Sequence, residues 1–282
     1  MNTLFTAGQR QSIGIFDSGV GGLTVAAAFR RRMPREDLLY LGDTARLPYG
    51  TKSPGTVIRY ALQAADFLVG QGVKMLVVAC NTASAHALGA VAAAHPGLPV
   101  LGVVEAGAAA AARASTTGRI VVAATEGTCR SGAFERAILA HRPDARVTSV
   151  PCPLFVALAE EGLTEGAIAE AIAAHYLDGL FPPAGDGDCM VLGCTHFPLL
   201  AVTLRRVVGV GPVLIDCAEA VAERAAQALA AAGRDAPRDG RGGLRLATTD
   251  APDRFARAAR RMFPDQELPT PVLVDIRQAG AI

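Results

Sequence analysis

One device appears twice in this chain and limits what it can fold into. An apolar run from Met75 to Ala79 ends at Cys80-Asn81-Thr82, and Met190-Val191-Leu192 leads through Gly193 into Cys194-Thr195-His196. Short apolar runs bounded by polar residues read as buried strands. In open α/β sheets, ligands bind beyond the carboxyl ends of the strands. Each run therefore predicts a strand that delivers a thiol to such an edge.

The surrounding sequence alternates strand and helix patterns, the signature of parallel sheets flanked by helices. Ile13 to Phe16 reads as a strand, Asp17 to Gly22 as a Gly-rich turn, and Leu23 to Arg32 as a helix stopped by Pro34. Strand Leu38 to Leu41, helix Pro54 to Gln71, strand Met75 to Ala79 and helix Ala83 to Ala94 follow. Leu98 to Ala108 reads as a strand with its exit loop. The pattern then starts over: Arg119 onward is strand, polar loop and helix, with Thr125 and Thr128 where the first half has Asp17 and Ser18. A strand precedes Pro153, and a helix spans Thr164 to Leu180 with Thr164 as its N-cap. FPPAGDGD connects to the strand before Cys194.

Asp17 to Thr125 is 108 residues and Cys80 to Cys194 is 114, which supports a duplication. The fold class expected is α/β. Two pseudo-symmetric lobes, each a mainly parallel sheet flanked by helices, would enclose the site in the cleft between them. Residues 1–103 and 213–282 are expected in the first lobe and 104–212 in the second. After Cys194 come helix Pro198 to Val208, strand PVLIDCA and helix Ala218 to Ala232. GRDAPRDGRGG reads as a linker, and a strand, an amphipathic helix and a last strand within LPTPVLVDI close the chain over the first lobe.

Composition excludes several partners. The 282 residues carry a net charge of +1 with no long basic run, and aromatics make up 5% with no Trp, so neither nucleic acid nor a base-stacking platform is indicated. MNTLFTAGQRQS lacks an apolar signal region, and no apolar run reaches the length of a membrane span. A cytoplasmic protein with reduced thiols and no membrane partner is the expectation. None of the six cysteines forms a C-x-x-C pair, so neither a zinc ribbon nor a thioredoxin-like site is indicated, and Cys80, Cys194 and His196 lack local metal-ligand spacing.

A cysteine at a strand end is usually a small buried hydrophobe. That reading suits Cys152, Cys189, Cys217 and, for the most part, Cys129. Cys80 and Cys194 differ because polar residues follow each at an expected helix N-terminus, a place that lowers a thiol pKa. Asp17, Ser18, Asn81, Thr82 and Thr195 would be ordinary helix caps on the plainer reading. The turn GVGG lacks the lysine of a phosphate loop. Of the five histidines only His196 adjoins such a cysteine; the other four read as structural or surface. Two facing thiols suit a dithiol redox pair, a metal site, or inversion at a carbon acid, in which one face of a carbon loses a proton and the other gains one. A pyridoxal enzyme would need a Schiff-base lysine, and the only lysines, Lys52 and Lys74, sit in no such motif.

Five stretches in order, GIFDSGVGGLTV, LGDTARLPYG, ACNTASA, ATEGTCRSGAF and LGCTHFPLL, resemble the bacterial glutamate racemases over nearly the whole chain. The resemblance implies cofactor-independent interconversion of L- and D-glutamate, in a protein that often forms homodimers, supplying D-glutamate for peptidoglycan. Cys80 and Cys194 match the two catalytic cysteines, Cys80 acting on D-glutamate and Cys194 on L-glutamate. Asp17 and His196 match residues that assist them, and Asp43 and Glu160 match further acidic residues tied to the site. Ser18, Tyr49, Gly50, Asn81, Thr82, Thr125, Thr128 and Thr195 match substrate contacts. One departure is Glu105-Ala106-Gly107, where the family often carries Glu-Pro-Gly; a freer loop at the lobe crossover is the expected consequence.

Overall fold

A computed structural model of the chain describes residues 11–181, 188–237, 240–263 and 267–276. FPPAGDGD falls mostly outside them, as do two residues of the GRDAPRDGRGG segment.

Strands β1 (Ile13–Asp17), β2 (Leu38–Gly42), β3 (Met75–Val78), β4 (Val100–Gly102), β9 (Leu244–Thr248) and β10 (Val272–Leu273) form one sheet, in the order β10-β9-β2-β1-β3-β4. Strands β5 (Arg119–Ala124), β6 (Arg146–Pro151), β7 (Cys189–Gly193) and β8 (Val213–Asp216) form the other, in the order β6-β5-β7-β8. Every pairing among the described residues is parallel. β1, β2, β3 and β7 are buried along their whole length, which is why they read as apolar runs and not as alternating patterns.

The helices are α1 (Leu23–Arg32), α2 (Pro54–Gly70), α3 (Asn81–Ala94), α4 (Val103–Ala114), α5 (Glu126–Ser131), α6 (Ala133–His141), α7 (Pro153–Glu161), α8 (Ala167–Leu177), α9 (Ala201–Val208), α10 (Cys217–Ala231) and α11 (Pro252–Met262). Alanine-rich α1, α4 and α10 lie between the sheets. One apolar core runs from Ile13, Tyr40 and Val77 of the first sheet through Ala26, Ala108 and Ala222 of these helices to Ile120, Val191 and Ile215 of the second. Small side chains allow the close approach: a Cβ on Gly107 of α4 would lie 2.4 Å from Cys217 Sγ of α10. Separate apolar clusters cover the outer faces, one under α2 and α3 and one under α7, α8 and α9.

Four expectations are corrected. Residues 213–216 were expected in the first lobe, yet β8 pairs with β7 of the second sheet; the chain crosses back only at α10. The exit segment after β4 is not a loop but the first turn of α4, so Ala106 is a buried helix former there. α8 starts at Ala167, not Thr164, because Gly166 takes a positive φ of 91° that breaks the helix; the Thr164 carbonyl instead accepts from Thr203 Oγ1 at 2.7 Å. The GRDAPRDGRGG segment is fastened where it is described: the Arg234 carbonyl accepts from Lys74 Nζ at 2.6 Å, and the Ala236 N–H donates to Glu36 Oε1 at 2.7 Å. Lys74 and Glu36 are themselves a buried ion pair at 2.7 Å.

Candidate active site

The carboxyl ends of β1, β3 and β7 converge, and the polar side chains after each strand meet there. Cys80 is the N-cap of α3, which begins at Asn81, two residues before the start at Ala83 expected from sequence. Its Sγ–H donates to Ser18 Oγ at 3.5 Å. A helix N-terminus should ease ionisation of this thiol, yet burial, followed by the charge of Asp17, pushes it up to about 12. The desolvated site and its carboxylate outweigh the helix end.

Asp17 ends β1 and is fully buried. It does not cap α1, whose N-cap is Gly22 without a side-chain bond. Its Oδ2 accepts from the Gly19 N–H at 3.0 Å, and its Oδ1 has no hydrogen-bond partner. Burial raises its pKa, opposed by His196 and by backbone N–H groups of the Gly-rich turn. Tyr40 of β2 holds that turn from beneath, donating its hydroxyl to the Gly19 carbonyl at 2.9 Å.

Cys194 follows β7 but heads no α-helix; residues 194–196 turn into a short 3-10 segment, Phe197–Leu200. Cys194 Sγ lies 3.7 Å from His196 Nδ1. His196 Nε2 lies 3.5 Å from Glu160 Oε1 at the end of α7, an ion-pair distance and not a hydrogen bond. Burial alone would lower the imidazolium pKa of His196. Its contacts with Cys194 and Glu160 win and lift it to about 10. Glu160 is in turn held below the usual carboxylate range, chiefly by His196 and less by Arg254. Charge on Cys194 also raises the Cys80 thiol, so the two sulfurs lie within each other's field.

Asn81 is buried, and neither its amide oxygen nor its amide nitrogen has a partner. A cavity of about 10 Å³ touches Asn81, Cys194 and Thr195, the minimum that holds one water. Three hydroxyls close a triangle across the cleft: Thr82 lies 3.0 Å from Thr125 and 3.1 Å from Thr128, which are 2.9 Å apart. Thr125 also caps α5. His86 of α3 reaches the Gly127 carbonyl at 3.1 Å, a bridge between the sheets' helices that local sequence does not signal. Gly50 and Gly127 meet face to face; a Cβ on Gly127 would lie 2.7 Å from the Gly50 carbonyl.

Asp43 and Tyr49 are brought together beside this cluster. Asp43 accepts from Tyr49 Oη, from Arg46 Nε at 2.7 Å and from Thr249 Oγ1 at 3.0 Å, so its carboxylate is committed to holding the 43–51 loop. Gly21, read from sequence only as part of the Gly-rich turn, lies against the residues that follow Cys194. A Cβ there would lie 2.4 Å from Thr195 Oγ1 and 2.6 Å from His196 Cε1. A glycine's lack of side chain leaves no hydropathy signal.

All six cysteines are unpaired thiols. Among the described residues, no cluster of three His, Cys, Asp or Glu side chains is arranged to hold a metal, and no helix is long and apolar enough to cross a membrane.

The model of the Asp/Glu/hydantoin racemase family matches residues 23–225. The glutamate racemase of Geobacter metallireducens is 47% identical over 253 residues, 90% of this chain and 93% of that protein. Glutamate racemase from Francisella tularensis, solved in complex with D-glutamate, superposes with a TM-score of 0.86 at 32% identity, covering 95% of this chain and 98% of that one. The Thermus thermophilus glutamate racemase, in complex with β-chloro-D-alanine, gives 0.83 at 42% identity over 94% and 97%. With the family model covering most of the chain and such relatives matching nearly all of it, this chain belongs to the Asp/Glu/hydantoin racemase family.

Proposed function

We infer that this protein is a glutamate racemase that interconverts L- and D-glutamate with its two cysteines. The observation that carries the reading is the placement of Cys80 and Cys194, each from a different sheet and each with its own polar escort. One sulfur, as thiolate, takes the α-proton from one face of the substrate. The electron pair of the broken C–H bond passes into the substrate carboxylate. The other sulfur, as thiol, returns a proton to the opposite face, and the roles swap for the reverse reaction. The reading needs no cofactor.

The α-hydrogen of an amino acid is far less acidic than a thiol, so charge building on the substrate must be met by positioned donors. The unpartnered Asn81 amide, the Thr82, Thr125 and Thr128 hydroxyls and the N–H groups of the 17–22 turn are suited to that work. Ser18, Tyr49, Gly50 and Thr195 complete the wall around them. His196, backed by Glu160, serves Cys194; Asp17 serves Cys80.

The working units in this reading are 1–103 with 217–282 and 104–216, the boundary moved to keep β8 with its sheet. Both thiols are less than a tenth exposed, so substrate entry requires the lobes to part. Assembly as a homodimer, a cytoplasmic location and supply of D-glutamate to peptidoglycan follow from the family resemblance and are part of the proposal.

Incubation in heavy water with L-glutamate, D-glutamate and L-aspartate tests the reading. Deuterium should enter Cα of both glutamates while the enantiomers equilibrate, and aspartate should exchange far more slowly. Exchange with aspartate alone would make this an aspartate racemase. Binding without exchange would make it a non-catalytic relative, and a reversible Cys80–Cys194 disulfide in its place would point to redox chemistry.

A further inference from the structure

Beyond the residues that surround the thiols, one chain of contacts leads out of the site and back to the other lobe. Glu160 uses Oε1 on His196 and Oε2 on Arg254, whose Nη2 lies 3.4 Å away. Arg254 belongs to α11, and α11 follows β9 of the first sheet, whereas Glu160 lies in the last turn of α7 beside the second. A second arginine of α11 grips the same helix end: Arg261 Nη1 donates to the Glu160 carbonyl at 3.3 Å. Both cations sit where the dipole of α7 is negative.

α11 also touches the Cys80 side. Phe255, next to Arg254, is fully buried, and its ring lies 5.8 Å from that of Tyr40. Tyr40 holds the Gly19 carbonyl beside Asp17. Thus one helix packs against the support of one half-site and ion-pairs with the support of the other.

We propose that Arg254 is a positioning residue for the Cys194 half of the reaction: from α11 it fixes the outer oxygen of Glu160, so that the inner oxygen stays on His196. The proposal rests on the two-thiol reading above. Glu160 is the last turn of its helix and partly exposed, so without the guanidinium its carboxylate turns toward water. His196 then loses its anchor on the face away from Cys194. Arg254 touches neither the thiols nor the substrate position and acts only through these two side chains.

Rates alone cannot locate such a defect. The equilibrium constant between enantiomers is one, so kcat/KM must fall equally in both directions. Primary deuterium isotope effects do locate it, because each enantiomer loses its α-proton to a different sulfur. Raising the barrier at Cys194 makes proton removal from [2-²H]-L-glutamate more rate-limiting and removal from [2-²H]-D-glutamate less so.

The experiment measures both isotope effects in the wild-type protein first, then in R254Q, R254M, R254K and R261Q. R254Q and R254M should each lose about threefold to tenfold in kcat/KM, the scale of one partly exposed ion pair. Their isotope effect should rise with the L enantiomer and fall with the D enantiomer. R254K should recover part of both changes, and R261Q should leave the ratio of the two effects as in wild type. If one charge-removing variant fails to fold, the other carries the test. An unchanged ratio in R254Q or R254M, or an equal shift in R261Q, overturns the proposal. A wild-type protein that exchanges no α-proton overturns the two-thiol reading itself, which separates that failure from this one.

Discussion

The two half-sites hold the same reactive atom in opposite company. Around Cys80 stand a hydroxyl and a buried carboxylate, Ser18 and Asp17. Burial and that carboxylate push the thiol up to about 12, so this side keeps its proton. Around Cys194 stands an imidazole that stays protonated to about pH 10, with Glu160 and Arg254 behind it. A cation beside the sulfur offers a thiolate its counter-ion. Two thiols need not have symmetric surroundings to run a symmetric reaction. In the proposed reaction the two sulfurs trade roles at each turnover, although their surroundings differ.

The largest effect should come from removing either sulfur. Cys80→Ser and Cys194→Ser are each expected to lower racemisation by about a thousandfold, within the range lost with a general acid or base. Glutamate binding, followed by calorimetry, should persist, since the polar residues around the thiols remain. The comparison is sharpened by the half-reactions: each variant should fail to take the α-proton from the one enantiomer its missing sulfur serves. Full racemisation by either single variant would break the two-base scheme.

Gly21 tests how closely the half-sites must meet. It belongs to the turn after Asp17, yet it lies against Thr195 and His196 of the other half. A methyl group there would press on the Thr195 hydroxyl and the His196 ring, so Gly21→Ala should hold the halves apart. The expected loss is about tenfold to a hundredfold in kcat/KM, with the melting temperature close to wild type, a misplacement of about 1 Å being enough. Activity unaffected by the methyl would show that the Asp17 and His196 turns need not touch during turnover.

Much of this site could be read from residue order because its parts are local. Each thiol follows its own strand, and the strands are fully buried, so continuous apolar runs announced them. Cys80 as the N-cap of α3 is likewise a local fact. What could not be read is what the tertiary fold decides. Burial reverses the effect of a helix end on Cys80, and no window of sequence contains the desolvation. β8 looked like the start of the closing lobe, but its partner β7 lies twenty or more residues upstream. Arg254 sits on a helix whose charge pattern is that of any amphipathic surface, and its link to Glu160 spans 94 positions.

The subtlest difference between the halves is in protons, and alkaline titration reads it. The folded pKa of His196, about 10, is raised above its unfolded value, near 6.5. A group raised on folding contributes stability that is fully present below the unfolded pKa and lost as pH climbs through the folded one. His196 therefore withdraws its contribution between about pH 6.5 and 10, and Cys80, raised from 9.0 to about 12, continues the loss above pH 9. Urea midpoints should fall steadily across that span. Ring-nitrogen NMR of His196 should show an imidazolium at pH 8, and Cys194→Ser should move its titration downward, because a hydroxyl gives it no anion to hold. Cys80→Ser should move it much less, since Asp17 and Glu160 remain. An imidazole that titrates at the ordinary value in the wild-type protein would remove the cation from the Cys194 side, and with it the asymmetry between the two sulfurs.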